Sequence, residues 1–135
     1  MSAESILTRG RARAESRMTS TCTIRRRAGT TAGAGGFQVP GWDVRMTARP
    51  CRIAGAAATD RRWRTVKVGD VEVQVASRVL HLPAGTTGLR DNDYVEITSG
   101  EVAGHAFRIV ESTIADQQTA VRVQVFEVDR PAEWA

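Results

Sequence analysis

Two cysteines, two histidines and a few short charged runs are the side chains best suited to chemistry in this sequence, and their spacing limits what they can do. Cys22, Cys51, His81 and His105 follow one another at intervals of 29, 30 and 24 residues. Structural zinc sites hold their metal through local pairs such as Cys-x-x-Cys or His-x-x-x-His. The sequence has no such pair, so no metal is expected. No serine stands in a nucleophile elbow, and no Gly-x-x-x-x-Gly-Lys phosphate loop is present. The Gly33–Gly36 cluster lacks the third glycine of a dinucleotide-binding turn and lies between strand-like stretches without opening a helix. Asp91-Asn92-Asp93 lacks the later carboxylate of a calcium loop and reads as a turn into Tyr94. The expectation is a protein with no catalytic residues, no metal and no cofactor, and so not an enzyme.

The basic runs offer binding chemistry instead. Arg25-Arg26-Arg27 ends a strand-like stretch, and Arg61-Arg62-Trp63-Arg64 follows a loop-like one. Arginine meets phosphate and tryptophan can stack on bases, the combination used in backbone-directed nucleic-acid binding. The preferred role for Trp63 is nevertheless to cover one end of a small barrel. Residues 1–65 carry 13 basic and 4 acidic groups and residues 66–135 carry 6 and 11, giving +9 and −5. A chain split this way can bind copies of itself, or meet phosphate with one half. A merely solvated surface is the plain alternative. Eighteen of the nineteen basic residues are Arg, a bias that speaks of a high-GC source more than of mechanism.

These groups have to be positioned by a modest set of elements. At 135 residues, one domain is the default. No apolar run is long enough to span a bilayer, and Met1 to Arg17 lacks the apolar centre of a secretory signal. Two cysteines are too few for a disulfide framework, and a reducing cytoplasm is expected. Ala3, Leu7, Gly10, Ala14 and Met18 recur at helical steps after a capping Ser2, which predicts a helix over residues 2–18. Arg9, Arg13 and Arg17 share an adjacent face. The apolar stripe is thin, so the helix needs a surface to lean on, and a neighbouring protein is the expected one.

From Thr19 the pattern alternates as strands do. The strand-like stretches are Thr21–Arg27, Trp42–Ile53, Val71–Leu82, Asp93–Thr98, His105–Glu111 and Thr119–Val128. Apolar parity flips after Pro50, within Val71–Leu82 and before Phe126, which predicts bulges or bends. Cys22 and Cys51 share the apolar parity of their strands, so both are expected to be buried and reduced. Ala28–Gly41, rich in Gly, Ala and Thr, reads as a long flexible loop. Asp129-Arg130-Pro131 stops the last strand. The fold expected is mainly β: a small antiparallel barrel of about six strands over residues 19–130, a basic helix over 1–18, a flexible loop over 28–41 and a short tail over 131–135.

Several pieces in this order carry a resemblance. They are Arg17-Met18 before Ser20-Thr21-Cys22-Thr23-Ile24-Arg25, then Pro50-Cys51-Arg52-Ile53, then Val79-Leu80-His81-Leu82-Pro83, the strand entry Asp91–Ile97, and Gly104-His105-Ala106-Phe107-Arg108-Ile109-Val110. Over most of residues 4–128 the chain resembles the actinobacteriophage head-to-tail stopper family. It departs from that pattern at Gly29–Gly41, where an acidic turn is common and this sequence has none.

The resemblance implies a structural virion protein of the phage neck, assembled in the host cytoplasm. It implies a homo-oligomeric ring, a dodecamer or hexamer, between the portal-side adaptor and the tail terminator or tail tube. Such a ring retains packaged DNA, which it meets without sequence-specific contacts, and no membrane is involved. Partner contacts are then expected from Leu7, Gly10, Ala14 and Met18 with Arg9, Arg13 and Arg17 on the helix. Channel or adjoining-ring contacts are expected from Arg25, Arg26, Arg27, Thr30, Gly33, Gly35 and Gly36. The rival readings are a small-barrel nucleic-acid-binding protein, and another barrel-like virion protein such as a tail terminator or minor tail subunit.

Overall fold

A computed structural model describes residues 3–54, 63–68, 71–76, 78–111 and 118–134 of the chain. Helix α1 spans Ala3–Ser16, with Glu4 in its first turn and Arg13 in its last, the charge placement that suits a helix dipole. Ser2, the expected cap, lies outside the described residues. The strands are β1 (Ser20–Ala32), β2 (Gln38–Ala54), β3 (Trp63–Val68), β4 (Val71–Ala76), β5 (Arg78–Pro83), β6 (Tyr94–Ser99), β7 (Ala106–Glu111) and β8 (Ala120–Val128). Six of them form one antiparallel sheet in the order β1-β2-β5-β8-β7-β6, and pairing of β6 back to β1 closes it into a ring. Among the described residues, β3 and β4 pair only with each other.

Alternation explains the interior. Cys22 and Ile24 of β1, Cys51 of β2, Leu80 and Leu82 of β5, Val95 and Ile97 of β6, Phe107 and Ile109 of β7, and Val121, Val123 and Val125 of β8 form one buried cluster. Each strand sends every second side chain inward, so a closed ring of short strands fills its own centre. Cys22 and Cys51 are both free and fully buried there. The neighbouring Cys51 thiol, then burial, pushes the Cys22 thiol well above its usual range.

The parity flips have local causes. Between Cys22 and Ile24 the partner in β2 advances from Arg49 to Met46, an extra residue on β2, and within that bulge Ala48 takes a φ of 52°. A non-glycine residue in that left-handed region costs about 1 kcal/mol or more and is held there by the pairing on either side. In β8 the flip coincides with a register shift opposite β7, between Ile109 and Glu111. The stretch Val71–Leu82, expected as one bent strand, is two: β4 belongs to the separate hairpin and β5 to the ring. Trp63 lies in β3, but its side chain, Arg61 and Arg62 lie outside what is described.

One expectation is corrected outright. Residues 28–41 do not form a long loop, because β1 runs on to Ala32 and β2 begins at Gln38, with Thr30 opposite Pro40, Thr31 opposite Val39 and Ala32 opposite Gln38. The glycines that suggested a loop do two separate jobs. Gly29, at φ 62°, stands in a bulge where Arg27 to Thr30 on β1 face only Trp42 to Pro40 on β2. Gly35 and Gly36, at φ 74° and 79°, make the turn at the tip. Thr30 and Thr31 on β1 and Val39 on β2 supply the β preference of the paired stretch.

Candidate functional site

Two features leave the closed sheet. The first is the hairpin tip. Pairing of β1 with β6 ends at Arg25 opposite Tyr94, whereas pairing with β2 continues from Arg26 to Ala32. This outer part of β1 therefore pairs with β2 alone and extends for about 20 Å at ~3.3 Å per residue. Residues 27–32 are exposed, and at the end Phe37 is 76% exposed. Thr30, Gly33, Gly35 and Gly36 all sit on this ribbon, which is paired backbone closed by a short turn and not a long loop.

The ribbon's root is built from groups that sequence reasoning assigned elsewhere. Arg25 and Arg26 were expected to face neighbours or DNA. Arg25 instead reaches Glu96 at 2.6 Å and lies 4.5 Å over the Trp134 ring. Arg26 forks onto both oxygens of Asp93 at 2.8 and 3.0 Å and also donates to the Gly88 carbonyl. Only Arg27 of the three is exposed. Glu96 additionally accepts from Arg130. Burial alone would raise the Glu96 carboxyl, but hydrogen bonds from Arg130 and Arg25, with their charges, outweigh it and hold the group below the usual carboxylate range.

Trp42, Tyr94 and Trp134 meet edge to face beside this network, with ring centroids 4.8 to 5.9 Å apart. Residues 131–135, read as a tail, include a short 3-10 turn, Ala132–Trp134, that brings Trp134 into this cluster.

The second feature is a cleft of about 240 Å³ where α1 crosses the outside of the sheet. Gly10, Ala14 and Met18 line it, so much of the expected partner-facing stripe is turned onto the chain's own β5 and β8. The reason at Gly10 and Ala14 is their small size. A Cβ at Gly10 would come within 2.8 Å of the Thr119 methyl group, so a larger side chain would lift the helix away. Arg11 helps to hold it, donating to the Gln118 carbonyl. Leu7 is half-buried and Arg9 is exposed.

Arg13 and Arg17 line the cleft as well, and from the sheet they meet Arg52, His81 and Arg122. Sequence reasoning missed these last three. Each lies between inward residues (Cys51-Arg52-Ile53, Leu80-His81-Leu82, Val121-Arg122-Val123), so their outward direction was readable, but their alignment depends on register. In the ring Arg52 stands opposite His81, and His81 opposite Arg122. Burial, then the charges of Arg122 and Arg52, push the His81 imidazole below its ordinary value.

Among the described residues, no three His, Cys, Asp or Glu side chains are grouped to hold a metal, and no helix is long and apolar enough to cross a membrane.

The geometry thus defines a class, a small closed antiparallel sheet carrying a packed basic helix and a projecting two-stranded ribbon. The chain belongs to a family of unknown function, DUF6093, whose model matches residues 10–126, from the middle of α1 to the end of the buried run in β8. No curated protein matches it, and no solved structure does.

Proposed function

We propose that the chain is a non-enzymatic structural protein of the phage neck, a head-to-tail stopper whose copies form a ring between the portal-side adaptor and the tail. The observation that carries this reading is the ribbon beyond Arg26 and Asp43. A two-stranded ribbon is marginal by itself; its β1 strand is exposed from Arg27 to Ala32 while Gly41 and Trp42 of β2 are covered at the root, and its open edges are templates for pairing. Here it is rooted in a rigid network of Arg25, Arg26, Asp93 and Glu96, so its direction is fixed while its outer residues await a surface. In a ring, each ribbon lies on the next copy, and many weak contacts add around one axis. The small barrel supplies the wall of the channel, through which DNA passes without base-specific contacts. The resemblance in Arg17–Arg25, Pro50–Ile53, Val79–Pro83 and Gly104–Val110 supports the neck as the location.

Shortening the ribbon tests this. Replacing Thr31–Val39 with Asn-Gly closes the paired Thr30 and Pro40 through a two-residue hairpin turn. The variant should fold with an unchanged unfolding midpoint, yet give particles that package DNA but leak it or fail to join tails. Particles that retain DNA and attach tails normally would refute the proposal.

A further inference from the structure

The cleft between α1 and the sheet carries an inference independent of the neck reading. Arg52, His81 and Arg122 stand side by side on three neighbouring strands, in register. Their sequence neighbours Cys51, Leu80, Leu82, Val121 and Val123 fill the interior, so the row faces outward, under α1. From the helix, Arg13 and Arg17 approach the same space one turn apart. The described residues between these groups are small or apolar, and among the described residues no carboxylate lines the cleft.

That composition is costly for the fold. Arg52 and Arg122 flank His81 and, with Arg13 and Arg17, gather like charges around one space, and guanidinium groups cannot shed a proton to relieve the repulsion. Elsewhere this chain pairs its arginines closely with acids, as Arg25, Arg26 and Arg130 show. Among the described residues, none of Arg13, Arg17, Arg52 and Arg122 has a side-chain hydrogen bond or ion pair. Four convergent, unpaired guanidiniums around a concave space are a site for an anion with several acceptor oxygens. Planar fork donors match phosphate oxygens well, and a dianion answers this charge better than one carboxylate does. The space is too small for a duplex and suits a single tetrahedral group with its substituent directed to solvent.

We propose that this cleft binds a phosphate group, held by Arg13, Arg17, Arg52 and Arg122 with His81 as a further donor from the sheet. The group comes either from free phosphate or a small phosphate ester, or from the backbone of a nucleic-acid strand.

The test is a titration of the full chain followed by the His81 imidazole resonance, first with inorganic phosphate, then with a single-stranded oligonucleotide, then with a polyglutamate peptide. Phosphate should shift the His81 signal saturably. It should also raise the imidazole's titration midpoint, because the bound anion offsets Arg13 and Arg17 from the helix, Arg52 from β2 and Arg122 from β8. Arg52→Gln and Arg122→Gln should each weaken phosphate binding by about tenfold or more, as loss of a charge-assisted hydrogen bond does. Arg27→Gln, on the exposed ribbon, should leave it unchanged.

Tighter binding of the oligonucleotide than of phosphate at His81 supports the site with nucleic acid as the source. Binding of inorganic phosphate alone supports it with a free phosphate. No saturable shift with phosphate, equal binding by the Gln variants, or saturation by polyglutamate but not by phosphate would overturn the proposal.

Discussion

Asp93→Ala should destabilise the chain by about 3–5 kcal/mol, the range for removing one partner of a buried ion pair. Asp93 is 1% exposed and accepts from both Nε and Nη2 of Arg26, while its second oxygen also receives the Arg90 backbone N–H. Removing the carboxylate leaves the Arg26 guanidinium, largely screened from water, with only the Gly88 carbonyl as its other acceptor. It also unties the turn that leads into β6. Asp93→Asn keeps the shape but not the charge and should recover only part of the loss. Denaturant unfolding measures both. A loss below about 1 kcal/mol for the alanine variant, the value of an exposed pair, would show that this junction does not hold the ribbon's root.

The second large effect is expected at Glu96, and it depends on pH. The carboxyl is buried and bridges Arg25 and Arg130, and its folded-state pKa is depressed. A depressed carboxylate contributes stability that is fully present above its unfolded value, about 4.3 for Glu, and is lost as pH falls through the lower folded value. Glu96→Gln should therefore cost about 2–3 kcal/mol at neutral pH, less than Asp93→Ala because Arg130 is partly exposed. The variant should also show a flatter fall in stability below that pH than the parent chain. Unfolding curves collected from pH 7 to pH 3 would show it. Parallel pH profiles for the two proteins would mean that the bridge contributes nothing.

The interior of this fold was readable because it depends on alternation alone. Cys22, Ile24, Leu80, Leu82, Val121, Val123 and Val125 announce their direction by parity, and all are buried. The ribbon was not readable, because glycine serves both mobile loops and bulged or tightly turned strands, and composition does not distinguish them. Only the pairing of Thr30 with Pro40 and Thr31 with Val39 shows which use applies.

Register also hid both polar assemblies. Nothing in the sequence brings Arg25 to Glu96 or Arg26 to Asp93, and the run Arg25-Arg26-Arg27 looked more available than it is. Arg52, His81 and Arg122 are separated by 29 and 41 residues and meet only because β2, β5 and β8 are neighbours. The helix stripe was visible, but its partner was not. Gly10 and Ala14 fit any close surface, and here the chain's own Thr119 lies against Gly10.

Locating the chain by reconstruction in the neck of a tailed-phage particle tests the central proposal most directly. It should place copies of the chain in a closed ring around the DNA channel between adaptor and tail, with the ribbon from Arg27 to Gly41 of each copy lying on a neighbouring surface. Density for the chain elsewhere in the particle, or a ring whose ribbons touch only solvent, would contradict it.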